Sequence, residues 1–257
     1  MCDVALCTGK LPLPFVPSRD IMQSRTCAPH HLALTDSSFM NNLSTRASSV
    51  ADLPASRTTT YAVVDFETTG LSPHQGDRAI EIGISLFRDG REVDTFASLI
   101  NPGMRIPPFI TQLTGISNDM VAAAPNAREV FEKTLAFVGD AQLVAHNASF
   151  DRKFWRRELA AELGVECERN FVCTLMLARR IFQSFTSHRL GEIARVLNID
   201  TGRSHRALDD ARVTTIILGT MLDRLQAANP DQAIDGAFLQ TYQKRAKTQL
   251  PDLSWAG

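Results

Sequence analysis

Hydrophobic and polar positions along this chain fall into a regular pattern only from Thr59 onward. Residues 60–67 form a run of β-branched and aromatic side chains, which predicts a buried strand. Residues 79–87 alternate, with Ile80, Ile82, Ile84 and Leu86 on one face, the two-residue period of a second strand. Arg88-Asp89-Gly90-Arg91 supplies an Asp-Gly hairpin turn, and residues 92–100 read as the returning strand. Three strands thus begin the domain as an antiparallel meander. A proline-rich loop at 101–108 leads into short helical patterns, with Ser117 as an N-cap ahead of Asp119. Residues 126–139 predict a helix with Val130, Phe131, Leu135 and Val138 inward and Gly139 as its stop. Residues 143–145 read as a short apolar strand, followed by a helix over 152–163 that Gly164 ends. Further helices are expected over 174–182, 188–197 and 206–225, and a weaker one over 231–245. A meander followed by alternating helices and short strands is the signature of an α/β domain with a mixed sheet. No internal repeat is visible.

Residues 1–58 contrast with this pattern. They carry five prolines, many Ser and Thr, and no Trp or Tyr. Such a composition buries too little apolar surface to offset the entropy of ordering and predicts a mostly disordered leader. It is a poor secretory signal, because Asp3 stands where basic residues belong and prolines interrupt the short apolar stretch at 11–16. A transit peptide and an internal start at Met22 or Met40 remain as alternatives. The organisation read from the sequence is a leader over 1–58, a catalytic domain over 59–228 and a C-terminal helix or tail over 229–257. The tail reads either as a helix packed on the domain or as a docking segment for a polymerase, and residues 249–255 faintly resemble a sliding-clamp-binding peptide, against the reading of a plain tail.

Composition narrows the class. The 257 residues are 44% hydrophobic and 21% charged, which excludes a wholly disordered or collagen-like chain. No run approaches the ~18 apolar residues of a membrane-spanning helix. A formal charge of −1 argues against a polybasic nucleic-acid coat protein but leaves a nucleic-acid enzyme open, since local charge decides that question. The five cysteines are odd in number and include no Cys-x-x-Cys pair, which favours reduced thiols in a cytoplasmic protein over a disulfide framework.

Three acidic clusters carry the candidate chemistry. Asp65-Phe66-Glu67-Thr68-Thr69-Gly70 closes the first strand. Side chains two apart share a face, so Asp65 and Glu67 project together, ~7 Å apart, while Phe66 points into the core. Two such carboxylates repel unless a cation lies between them, and hard oxygen donors favour magnesium or manganese. The plainer alternative is a solvated strand edge. Gly70 is expected to turn the backbone tightly and let the Thr amides approach a ligand. His146-Asn147-Ala148-Ser149-Phe150-Asp151 follows the strand at 143–145. An Asp at a helix start is ordinarily an N-cap, yet the carboxyl end of a strand in an α/β sheet is where ligands collect. His205-Arg206-Ala207-Leu208-Asp209-Asp210 opens the helix at 206. Asp209 and Asp210 point ~100° apart on that helix, so only one shares a site with His205.

Together and in this order, Asp65-x-Glu67-Thr68-Thr69-Gly70, His146-Asn147-x-x-Phe150-Asp151 and His205 with Asp210 resemble the DEDDh, or DnaQ-like, superfamily of 3′→5′ exonucleases, which includes the epsilon proofreading subunit of bacterial DNA polymerase III. Leu113-Thr114-Gly115-Ile116 is similar to that superfamily's segment between the first two motifs. The resemblance covers about residues 59–225 and implies a ribonuclease-H-like fold, a mixed five-stranded sheet flanked by helices. It also implies two divalent cations, Mg²⁺ or Mn²⁺. Asp65 would bridge both, Glu67 and Asp210 would complete one site, and Asp151 would hold the second. His205 would be the general base toward the attacking water, a role suited to the side chain that titrates closest to neutrality. Thr68, Thr69, Gly70 and Asn147 are expected to contact the 3′-terminal nucleotide. Phe150 and Phe154 would either stack on a base or pack in the core.

Local charge supports a single-stranded nucleic acid as substrate. Residues 151–212 hold twelve Lys and Arg against nine Asp and Glu. Arg152 and Arg156 are i, i+4 neighbours on the helix after Asp151, as are Lys153 and Arg157. They would guide the phosphate backbone; the alternative is a solvated face paired with Glu158 and Glu162. The expected function is release of nucleotides from single-stranded 3′ ends of DNA, in the bacterial cytoplasm, as a polymerase-associated proofreader or in stand-alone repair. An RNA 3′-end exoribonuclease is the alternative within the superfamily, and an inactive nucleic-acid-binding domain the alternative outside enzymes.

Overall fold

In the computed structural model, β1 (Tyr61–Thr68) is the central strand of a five-stranded sheet ordered β3-β2-β1-β4-β5. Residues 59–202 and 205–255 are described; the expected leader, with Cys2, Cys7 and Cys27, lies outside them. β2 (Ala79–Arg88) and β3 (Arg91–Leu99) complete the antiparallel meander through Asp89 and Gly90, both at positive φ as a two-residue hairpin turn requires. β4 (Gln142–Ala145) joins β1 in parallel, and β5 (Val172–Cys173) joins β4 in parallel.

Both faces of β1 and β2 are covered. Ala62, Val64, Phe66, Ile82 and Ile84 pack against α3 (Ala127–Val138) and α4 (Ser149–Glu158). Tyr61, Val63 and Phe87 pack on the other side with α5 (Thr174–Ile181), α6 (Leu190–Val196) and the long α7 (Ala207–Ala228). α1 (Pro108–Thr114) and α2 (Asn118–Ala122) close a smaller core around Ile80 and Ile116. Ser117 caps α2 as expected, its hydroxyl accepting from Met120 N. The fold is therefore the mixed five-stranded sheet with flanking helices that the motifs implied.

The C-terminal segment packs on this domain. α8 (Gly236–Tyr242) places Leu239 and Tyr242 in the core shared with α7. Just beyond α8, the Gln243 side chain accepts a 2.7 Å hydrogen bond from Cys173 N, satisfying the open edge of β5. Residues 249–255, the stretch with clamp-peptide resemblance, are also engaged: Leu253 is buried, its N–H donates to Ile181 O, and Asp252 accepts from Gln183 N. A peptide held this way is not a free docking segment, which corrects that reading.

Candidate active site

β1 extends past the end of β4. The last paired residues are Val63 and Val144, so the β4-side edge of β1 is open from Val64 onward. On the face toward α7, β1 changes from Tyr61 and Val63 to Asp65 and Glu67; on the opposite face Phe66 stacks on Phe131 at 6.1 Å. The two carboxylates therefore share one face as their spacing required. Across the β1–β2 ladder Asp65 lies opposite Gly83, and Glu67 opposite Glu81.

Asp151 reaches this end of the sheet from α4. It is not the N-cap: the helix starts at Ser149 and Asp151 sits in its first turn. The reason is Asn147, whose φ of 63° turns the chain sharply after β4 and starts the helix early. Asp151 is only 2% exposed, and its carboxylate accepts from its own N–H and from that of Phe66 on the open edge of β1.

Asp210 arrives from α7. Arg206 occupies the N-cap without capping through its side chain. Glu81 does so instead: Ala207 N donates to Glu81 Oε2 at 3.0 Å, while Arg206 Nη2 lies 2.7 Å from Glu81 Oε1. Gly83 allows the approach, because a Cβ there would lie 2.2 Å from the Ala207 carbonyl carbon and Leu208 N. His205 stands just before the helix at φ 63°, and its N–H donates to Asp210 Oδ2 at 3.0 Å. Potential ligand atoms of Glu67, His205 and Asp210 all lie within 4.8 Å of one another; Asp209 is not in this group.

The electrostatics follow from crowding acids in a partly dry site. Burial raises Asp65 well above the ordinary carboxylate range, and Asp151, Asp210, Glu67 and Glu81 push it further. Burial, then Asp210, Glu81 and Asp151, lifts Glu67 to about 8. Burial lifts Asp151 to about 7, and Asp210 is raised as well. Four carboxylates that resist ionising together, with oxygen donors from three elements, are the donor set a hard divalent cation fits.

The remaining sequence candidates separate. Thr69 is buried; its N–H donates to Arg78 O and its hydroxyl accepts from Arg78 N, so both are engaged in the β1–β2 connection. Thr68 donates its hydroxyl to Gly70 O. Gly70 is not at positive φ. It is needed for close approach instead, since a Cβ would lie 2.5 Å from the Asp77 carboxylate that accepts from Ser72 N. Asn147 is exposed at the site's rim. Phe150 is half-buried against the fully buried Phe154, with Lys153 Nζ 5.9 Å from its ring centre. Arg152 and Arg156 are exposed and line one hollow with Lys153, Arg157 and His74. The alternative pairing of this face with Glu158 and Glu162 is not formed; both acids turn to Arg78, and Arg156 pairs with Glu168. His146 faces away from the acids. Burial lowers it to about 4, so the ring is neutral, donating from Nε2 to His188 O and accepting at Nδ1 from the Thr174 hydroxyl.

The sequence profile of the RNase T exonuclease family matches residues 62–218, which span every one of these side chains. The chain belongs to that exonuclease family. It is 41% identical over 166 residues to a PolC-type DNA polymerase III of Caldanaerobacter subterraneus subsp. tengcongensis, across 65% of this chain and 12% of that protein. It is 38% identical over 168 residues to the 3′-5′ exonuclease DinG of Bacillus subtilis, across 65% of this chain and 18% of that one. The chain thus spans less than a fifth of either relative. Exonuclease X, solved in complex with 5′ overhanging duplex DNA, shares 25% identity at a TM-score of 0.55, covering 70% of this chain and 98% of that one. The nuclease domain of 3′hExo, a DEDDh family member, bears out the fold at a TM-score of 0.57 and 22% identity, over 65% of this chain and 94% of that one.

Within this member of the family, two buried ion pairs went unread in the sequence. Besides Glu81–Arg206, the fully buried Glu158 on α4 accepts from Arg78 Nε at 3.0 Å and from Ala79 N at 3.0 Å. Glu81 was detectable as a charge inside the apolar run of β2, because an acid there needs a partner. Glu158 and Arg78 are 80 residues apart, and no local pattern links them.

Proposed function

We propose that this exonuclease is metal-dependent and releases nucleotides from single-stranded 3′ ends of DNA. The observation that carries the reading is the convergence of Asp65, Glu67, Asp151 and Asp210 at one end of the sheet beside His205. Asp65, Glu67, Asp151 and Asp210 would hold two divalent cations, Mg²⁺ or Mn²⁺. When bound, such cations lower the pKa of water and stabilise charge on the leaving oxygen. His205 accepts the proton of the attacking water, and its backbone N–H, bonded to Asp210, ties this turn to the start of α7 at the site's mouth. Asn147 and Phe150 line the approach to the 3′-terminal nucleotide. The face bearing Arg152 and Arg156 attracts the phosphate backbone.

DNA is favoured because the PolC-type and DinG relatives are DNA polymerase and exonuclease proteins and Exonuclease X was solved on DNA. Proofreading beside a polymerase and stand-alone repair, in the bacterial cytoplasm, both fit this chemistry. The full set of acids with the histidine argues against an inactive binding domain. Among the described residues no helix is long and apolar enough to cross a membrane. End-labelled single-stranded DNA, mismatched duplex DNA and RNA, digested with magnesium or manganese and resolved on a gel, test the proposal. Stepwise shortening of DNA from the 3′ end is expected. Preferential shortening of RNA would move the assignment to an exoribonuclease, and no cleavage with either metal would refute it.

A further inference from the structure

A second hollow, of about 630 Å³, opens beside the turn that carries Asn147. Its walls come from that turn, from α5 and from the connection between α5 and α6. Arg179 and Arg189 stand exposed at its rim, and among the described residues neither guanidinium meets a carboxylate. No acid lines it at all, whereas the hollow on α4 contains Glu166 and Glu168. Thr186 and Ser187 add hydroxyls, and Leu175 and Leu190 add apolar surface.

The walls are held in place from behind. His146 Nε2 donates to His188 O at 3.1 Å, and His188 Nε2 donates to Phe182 O at 2.9 Å. These bonds fix the loop that carries Arg189 against the strand end that leads to Asp151. The arginines are thus free cations on a fixed frame. Free guanidiniums with hydroxyls beside them match the oxygens of a phosphodiester, which accept forked hydrogen bonds. The leucines give a flanking nucleoside an apolar surface.

We propose that this hollow is a second nucleic-acid subsite, gripping a phosphodiester of the substrate strand outside the bond being cleaved, with Arg179 and Arg189 as its phosphate ligands. The inference rests on the exonuclease reading above. It extends that reading from the terminal nucleotide to the strand behind it. The subsite makes affinity depend on strand length, since an ester with one phosphodiester and no upstream strand cannot reach it.

The full chain tests this with two substrates: single-stranded thymidine octanucleotide and the p-nitrophenyl ester of thymidine 5′-monophosphate. In the Arg179→Gln/Arg189→Gln double variant, the ratio of kcat/KM on the octanucleotide to that on the ester is expected to fall about tenfold, as for loss of charge-assisted contacts. The slope of log KM against log salt is expected to shrink by about one to two. An Arg179→Lys/Arg189→Lys double variant should recover the salt slope, because charge is restored without the fork. An unchanged ratio and slope, or equal losses on both substrates, would overturn the subsite. If the wild-type protein cleaves neither substrate, the exonuclease reading itself fails. If it cleaves both and the ratio holds, only the subsite fails.

Discussion

α4 and α7 perform the same task by opposite means. Each delivers one acid to Asp65 and Glu67, and each is tied to β2 by a Glu–Arg ion pair. α4 donates the carboxylate, Glu158, to Arg78 just before the strand. For α7 the carboxylate belongs to the strand, and Glu81 caps the helix while holding Arg206. Asp151 is 2% exposed, whereas Asp210 is only half-buried, beside the exposed His205. Asn147 and His205, the residues that redirect the chain before these helices, both adopt φ of 63°. Such backbone is costly for non-glycine residues and persists where surroundings enforce it. The α4 side is a sealed support, and the α7 side is an open rim that carries His205.

Removing either acid gives the largest expected effect. Asp151→Asn and Asp210→Asn should each lower kcat on single-stranded DNA by on the order of 10³-fold, since each leaves the charge constellation incomplete. The two sides should differ in rescue. Asp210 stands at the rim, so raising manganese should recover more activity in Asp210→Asn than in Asp151→Asn. Equal rescue in a metal titration of both variants would break the distinction between sealed and open sides.

The ion pairs come next. Removing one partner of a buried pair costs about 3–5 kcal/mol. Glu158→Gln should approach the lower bound, about 3 kcal/mol, because Arg78 keeps Glu162. Glu81→Gln should cost less in stability, as Arg206 reaches solvent, but more in kcat, because the start of α7 positions Asp210 and His205. Thermal melts and turnover measured on the same two variants check this. A larger melting loss at Glu81, or a larger turnover loss at Glu158, would show that the tethers are not divided in this way.

Much of this architecture was legible because it depends on short-range periods. The two-residue repeat of β1 put Asp65 and Glu67 on one face and Phe66 in the core, and the geometry of a helix meant that only one of Asp209 and Asp210 could join them. What was not legible depends on distant backbone. The N-cap alternative for Asp151 stayed open because the left-handed Asn147 that starts α4 early has no signature in a local pattern. The bonds of Thr69 to Arg78 went unread because they form only when the β1–β2 connection folds back. Gly70 read as a flexible turn, yet it is the neighbouring Asp77 carboxylate that excludes a side chain there. The meander, the order of helices and the mixed sheet needed none of this long-range information.

The smallest effect is the most direct measure of the electrostatic load that both sides share. Glu67 at about 8 and Asp151 at about 7 bind protons in the metal-free fold that their unfolded forms release near 4. Between those values the folded state carries more protons than the unfolded one, so stability falls as pH rises. His146, lowered to about 4, acts in the opposite sense, but only below the ordinary imidazole range. Above about pH 6.5 its contribution is constant, and the acids act alone. In EDTA the melting temperature should therefore drop by a few degrees from pH 6.5 to 8.5. Magnesium binds the folded, ionised cluster in preference to the unfolded chain, so it should remove most of that drop and stabilise more at pH 8.5 than at 6.5. Asp151→Asn should shrink the drop more than Asp210→Asn, because the group at 151 lies deeper and loses a proton-binding site in a drier place. A melting temperature that stays level or rises with pH in EDTA would show that the acids are not crowded without metal, and the contrast between the sealed and open sides would lose its electrostatic basis.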